Sequence, residues 1–432
     1  MQKRFFLGIL IFSLILMSVG IGLSDELAIM HPNKKMLDQW VADYKNAPRA
    51  EDVLIPPLMI KAGNSLSLLD HLQYDPVTRD QGFCGNCWVW AGTGVMGIAL
   101  DVQERTKDRL SIQYLNSCKT GSYACCGGDL TEFANFYSST KKAIPWSNTN
   151  ASFQDYNRRC EDGQSLVSCS SISTSPNYPI KSITPLTITT HVSQAEAINN
   201  IKNVLHNNKA IYFAFCLPNS TAWNDFFNFW LNYDESAVYD IDKFCGIPWD
   251  YDEGGCHAVL CVGYNDNDPN NSYWIMLNSW GTAGGRRPNG LFRVNMDMNY
   301  RCVNYPYYSF YWQTLDIEFG EVGGWPFCLY YDWDRDLVFG STTVNVYSNH
   351  TFTTDDGGQG CWEVYNGAVS LTYTNGCCPL YAGSMDTMAG FMKCTDGSQG
   401  CEDLPGYWYA TPGECECQQM QVGDGIPSDP YF

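Results

Sequence analysis

Three short segments, far apart in the chain, constrain this fold more than anything else. The first is Gln81-Gly82-Phe83-Cys84-Gly85-Asn86-Cys87-Trp88, which sets a thiol, Cys87, at the start of an apolar run from Trp88 to Val102. The second, Gly254-Gly255-Cys256-His257-Ala258-Val259-Leu260, carries an imidazole. The third, Tyr273-Trp274-Ile275-Met276-Leu277-Asn278-Ser279-Trp280-Gly281, carries an amide. Cysteine, histidine and asparagine in that chain order are the parts of a thiol hydrolase, and only a fold that closes these long loops can assemble them.

The chemistry needs each residue type. A thiol is a weak nucleophile until ionised, and a helix N-terminus and a nearby imidazolium both stabilise the thiolate. Cys87 is placed for the first and His257 can supply the second, then return the proton to a leaving amine. Asn278 would hold the other ring nitrogen, Trp280 would shield that bond from water, and the Cys87 N–H with the Gln81 amide would hold an oxyanion. Cys84-Gly-Asn-Cys87 also reads as a C-x-x-C redox or half-zinc motif. A redox pair expects a preceding aromatic and a βαβ pattern, and neither is present. A zinc site needs a second pair, and the nearest, Cys415-Glu-Cys417, lies in another region.

With 432 residues the chain exceeds one ordinary core, so two or three units are expected. Residues 1–24 read as a signal peptide: Lys3 and Arg4, an apolar Phe5 to Met17, then small residues at Ser18, Gly20, Gly22 and Ser24. An uncleaved anchor is the alternative, against which the short apolar run argues. Export to a secreted, cell-surface or lysosome-like location suits 20 cysteines, as do sequons at Asn150, Asn219 and Asn349. Residues 25–61 resemble a short propeptide. Met36, Leu37, Trp40, Val41 and Tyr44 share one helical face, and Pro48, Pro56 and Pro57 force an extended strap after it. A plain linker is the alternative.

Residues 62–319 form the main unit. Helices are expected at Cys87 to Glu104, Ser111 to Asn116 and Leu130 to Tyr137. Strands are expected at Ala210 to Cys216, His257 to Tyr264, Tyr273 to Asn278, Leu291 to Asn295 and Trp312 to Glu318. Gly92, Gly94 and Gly97 each weaken the first helix by about 1 kcal/mol relative to Ala, so packing must hold it. The net charge is −20, and residues 320–432 carry 15 acidic against two basic side chains. Such a surface repels nucleic acid and anionic membranes. This last region has eight cysteines, enough to pair internally, and short β-type runs. It reads as a small disulfide-rich β domain that docks to a surface or a large substrate. Its string Asp332-Trp-Asp334-Arg-Asp336 lacks the glycine and closing glutamate of a calcium loop, and no metal or cofactor is expected.

Together, Gln81 to Trp88, Cys118…Cys125-Cys126-Gly127-Gly128, His257-Ala-Val and Asn278-Ser-Trp-Gly281 resemble the papain (cathepsin-like) cysteine proteases. The resemblance implies an α+β, papain-like two-lobed fold, a helical lobe beside a β-barrel-like lobe, and an endopeptidase acting through an acyl-enzyme. It implies Cys87, His257, Asn278 and Gln81 as catalytic, with Gly85, Trp88, Gly127, Gly128 and Trp280 around the substrate. It also implies disulfides Cys84–Cys125, Cys118–Cys160 and Cys245–Cys302. Asn86, Cys256 and Gly284 depart from the family's usual residues. His257 follows Cys87 by 170 residues, against roughly 130–150 expected, so extra length is assigned to loops near 147–185 and 216–256. Two rivals share these residues: a catalytically silent binding protein of the cell surface, and an amide hydrolase or acyltransferase acting on a non-protein group.

Overall fold

The computed structural model describes residues 27–54, 63–320, 325–332, 339–347, 351–365, 368–374, 379–384, 389–394 and 406–412. The signal-like segment, Pro56, Pro57, the sequon at Asn349 and the acidic string beyond Asp332 lie outside these residues. Among the described residues no helix is long and apolar enough to cross a membrane.

Seven α-helices occur among the described residues: α1 (Lys34–Asn46), α2 (Ala50–Val53), α3 (Cys87–Glu104), α4 (Ile112–Cys118), α5 (Leu130–Thr140), α6 (Gln194–His206) and α7 (Ser220–Asn232). Their starts are chemically marked. Ser111, Asp129, Ser193 and Asn219 each accept a hydrogen bond from a first-turn N–H of α4, α5, α6 and α7. Helix α3 is apolar on every side and buried from Cys87 to Leu100. Its glycines have a reason: a Cβ at Gly92 would lie 2.7 Å from the Phe133 ring, and one at Gly94 2.6 Å from Leu260. The glycines that weaken the helix locally are what let α5 and the sheet approach its axis.

The strands are β1 (Ser65–Ser67), β2 (Lys142–Ala143), β3 (Tyr178–Thr187), β4 (Ile211–Leu217), β5 (Val238–Tyr239), β6 (Gly255–Asn265), β7 (Tyr273–Leu277), β8 (Leu291–Asn295), β9 (Val303–Asn304), β10 (Tyr307–Tyr308) and β11 (Phe310–Phe319). One sheet runs β2-β3-β11-β4-β6-β7-β8-β5, with β1 added to β6. Strands β4 and β6, continuous apolar runs in sequence, are its buried centre. A single core unites this sheet with α3, α4 and α5. The segments assigned to loops contain real elements. Helix α7 and β5 fall within 216–256, and β3 begins within 147–185.

Among the described residues an extended stretch, 27–31, precedes α1, and Met30 forms an antiparallel bridge to Cys256. The described residues just after α1, 47–54, pack on the sheet. Arg49 pairs with Thr187 at the end of β3, and the Thr187 N–H donates to the Pro48 carbonyl. Leu37, Tyr44 and Ala50 are buried in the main core.

The C-terminal region forms a closed antiparallel barrel of β12 (Trp325–Asp332), β13 (Gly340–Val346), β14 (Thr351–Thr354), β15 (Gln359–Tyr365), β16 (Ala368–Tyr373), β17 (Pro379–Ser384), β18 (Ala389–Cys394) and β19 (Gly406–Pro412). Each strand pairs with the next and β19 returns to β12, which leaves no open edge. Leu329, Phe352, Leu371, Met392 and Trp408 fill its own interior. Cys361 keeps a free, exposed thiol, so the eight cysteines do not all pair among themselves.

Candidate active site

Cys87 is the first residue of α3, the imidazole of His257 stands on β6, and Asn278 follows the last residue of β7. The register Leu260↔Leu277 between β6 and β7 carries His257 and Trp280 to the same end of the sheet. The two rings stack there, 4.2 Å apart at 23°. Phe226, Phe227 and Trp230 of α7 pack around Trp280. This helix, unread in the sequence, backs the residue that covers the imidazole.

Hydrogen bonds assign the imidazole's protonation. Asn278 Oδ1 accepts from the Ser279 N–H at 2.8 Å, which fixes which amide atom is the oxygen. The same oxygen lies 2.7 Å from His257 Nε2, so Nε2 carries a proton and donates it. Nδ1, buried and without a hydrogen-bond partner among the described residues, is left with its lone pair. The Cys87 sulfur accepts from the Ala258 N–H at 3.4 Å, which sets it against the residue next to His257. Burial pushes the Cys87 thiol up to about 12 and the His257 imidazole down to about 3, the latter opposed by its bond to Asn278. In this covered state the pair is neutral.

Gln81 is oriented from behind. Ser279 Oγ donates to Gln81 Oε1 at 2.7 Å, which turns the amide nitrogen forward. That nitrogen donates to the Cys84 carbonyl at 2.7 Å and to the Ala28 carbonyl at 3.1 Å. Trp280 Nε1 donates to the same Ala28 oxygen at 3.2 Å. Met30 and Cys256 exchange backbone hydrogen bonds of 2.8 and 2.9 Å. The N-terminal segment thus lies in the cleft as an extended peptide, its Ala28 carbonyl on the donor expected to hold an oxyanion.

The remaining expected residues divide. Gly85 lines the cleft, where a Cβ would meet the Cys125 carbonyl at 2.6 Å and that of Ile29 at 3.3 Å. Gly127, at φ 102°, lies under Met30. Trp88 and Gly128 are not among the residues that line the cleft cavity. Trp88 is fully buried with its N–H bonded to the Ala124 carbonyl, and a Cβ on Gly128 would strike its ring, so the two form the wall's backing. Cys84 pairs with Cys125 and Cys245 with Cys302. The expected Cys118–Cys160 bridge is replaced by Cys118–Cys169 and Cys126–Cys160. The cause is local: Cys126 ends a short turn packed on the one that Cys160 opens, which leaves Cys169 to face the end of α4. A further bridge, Cys216–Cys256, joins opposite residues of β4 and β6 one position before His257. The sequence singled out Cys256 as a departure, but nothing in its spacing named the partner.

A thiol at a helix start, an imidazole held by an amide oxygen and a helical layer against a sheet define the class of thiol hydrolase scaffolds. The papain family cysteine protease profile matches residues 72–310, over half of the chain, and the chain belongs to this family. It is similar to Cathepsin B-like CP2 of Giardia intestinalis, 28% identical over 231 residues that span 52% of this chain and 65% of that protein. It is also similar to the Oryzain gamma chain of Oryza sativa subsp. japonica, 27% identical over 53% of this chain and 55% of that one. The matched region is less than two thirds of the length of these curated relatives. Among solved structures, the procathepsin L2 proteinase of the Tenebrio molitor larval midgut aligns with a TM-score of 0.45 at 17% identity, over 67% of this chain and 78% of that chain.

Proposed function

We propose that this protein is a secreted cysteine endopeptidase whose N-terminal segment covers its own cleft until removed. The observation that carries the reading is the His257 tautomer: Nε2–H tied to Asn278, and an Nδ1 lone pair left free. Once the cleft is open, Nδ1 takes the Cys87 proton and the thiolate attacks the scissile carbonyl. The Cys87 N–H and Gln81 Nε2 hold the resulting oxyanion. His257 then passes its proton to the leaving amine, and water hydrolyses the acyl-enzyme by the same route. Asn278 and Trp280 keep the ring in orientation throughout.

The covering segment is itself a peptide in extended form, which favours peptide substrates over a non-protein acyl group. With Ala28 on Gln81 and Trp280, a substrate carbonyl has no access, so residues 25–61 act as a propeptide. The N-terminal apolar stretch and the disulfides support export. The barrel has its own core and supplies none of the four catalytic side chains, which suits docking to a large substrate or a surface. The test is Cys87→Ala, assayed with a fluorogenic peptide after processing. Loss of all turnover in a folded protein is expected, and retained turnover would refute the assignment.

A further inference from the structure

Position 29 of the covering segment exposes a feature of the cleft wall that the chemistry above does not use. A Cβ built on Gly255 would lie 2.6 Å from Ile29 Cδ1 and 3.1 Å from Trp223 Nε1. The bare glycine therefore leaves a space in which the Ile29 side chain and the indole N–H of Trp223 converge. Trp223 is 2% exposed and its Nε1 has no hydrogen-bond acceptor among the described residues. Stacking on Phe215 and packing on Phe227 hold the ring. Other tryptophan N–H groups lack acceptors among the described residues, but Trp223 alone of these lines the cleft cavity of about 570 Å³. A buried donor facing an aliphatic chain is unsatisfied, and its desolvation is recovered only when an acceptor replaces that chain.

The acceptor's chemistry is narrowed by a neighbour. Glu253 lines the same cavity and is tied to the first turn of α7 by Ser220 Oγ at 2.7 Å, one helical turn before Trp223. A carboxylate in the same cavity disfavours a second carboxylate and favours a group with N–H to give, while the cavity's cation, Arg159, is held over the Phe83 ring.

We propose that Trp223 is a specificity-determining residue, whose indole N–H selects a substrate with a neutral amide side chain, glutamine or asparagine, where Ile29 sits. The amide oxygen would accept from Trp223 while its NH2 faces Glu253. This rests on the cleft being a peptide-binding one, as proposed above.

Two measurements test it. In the first, the processed enzyme and its Trp223→Phe variant are assayed on a positional peptide library. Phenylalanine keeps an aromatic wall and removes only the donor. The unaltered enzyme should prefer Gln or Asn over Leu at one position beside the scissile bond, and the ratio of the two kcat/KM values should fall by about 3–10-fold in the variant. Equal profiles in two active enzymes would overturn the proposal. In the second, Ile29→Gln is made in the full-length chain. It should slow alkylation of Cys87 by about 3–10-fold when Trp223 is present and not when it is Phe. No slowing with Trp223 present would also overturn the proposal. This cycle needs no turnover, so an enzyme that cleaves no peptide refutes the proposed activity while Trp223 is still judged. It also serves if Trp223→Phe fails to fold, because Ile29→Gln alone then carries the test.

Discussion

Met30→Pro tests the covering segment directly. Met30 donates its N–H to the Cys256 carbonyl at 2.8 Å and is 2% exposed above Gly127. Proline has no N–H, so the buried carbonyl loses its partner at a cost of about 1–3 kcal/mol. The smaller ring gives up part of the methionine's burial, about another 1–2 kcal/mol. The sum favours the open cleft by about 2–5 kcal/mol, or roughly 30- to several thousand-fold. The assay is alkylation of Cys87 in the intact chain, read by peptide mapping because Cys361 is free and exposed. The thiolate is the reactive form. With Cys87 pushed up to about 12 by burial, labelling of the unaltered chain should be negligible at pH 7 and climb steadily into the alkaline range. In Met30→Pro the released thiol regains solvent and an ionisable His257, so labelling should be fast near neutrality. Met30→Ala keeps the N–H and should give a smaller increase. Labelling of Met30→Pro no faster than that of the unaltered chain would refute the idea that these contacts hold the cleft shut.

Asn278→Ala removes the acceptor of the His257 Nε2–H but leaves the thiol and imidazole, so turnover should fall by about 10–1000-fold and remain measurable, with the loss in kcat rather than KM. Gly92→Ala gains helix propensity of about 1 kcal/mol but drives a methyl into the Phe133 ring, for a net loss of about 1–2 kcal/mol. Thermal unfolding should show a Tm lowered by a few degrees, and an unchanged or raised Tm would mean the close approach of α3 and α5 is not tight.

Much of the site was legible because its parts are local patterns. Cys87 stands where an apolar run begins, and α3 ends at Glu104 as that run implies. His257 lies on β6 and Asn278 directly after β7, strands whose apolar runs are central in the sheet, and Gln81 stands six residues before the thiol. What stayed hidden depends on approach in space. Trp88 and Gly128, motif residues, back the cleft wall because ring packing rather than motif membership decides where a side chain faces.

By itself, then, the sequence singled out Cys87, His257, Asn278 and Gln81 as one constellation, and marked the helical and strand halves and a separate β-rich, acidic C-terminal region. These follow from periodicity and residue type, which act over a few positions. Only the tertiary structure decided that residues 27–31 enter the cleft, because that depends on the Cys256 N–H and C=O meeting Met30 while Gln81 and Trp280 meet the Ala28 carbonyl. It alone decided the pairings Cys118–Cys169, Cys126–Cys160 and Cys216–Cys256. A disulfide requires two Cβ atoms within about 4 Å, and spacing along the chain does not say which cysteines meet that demand.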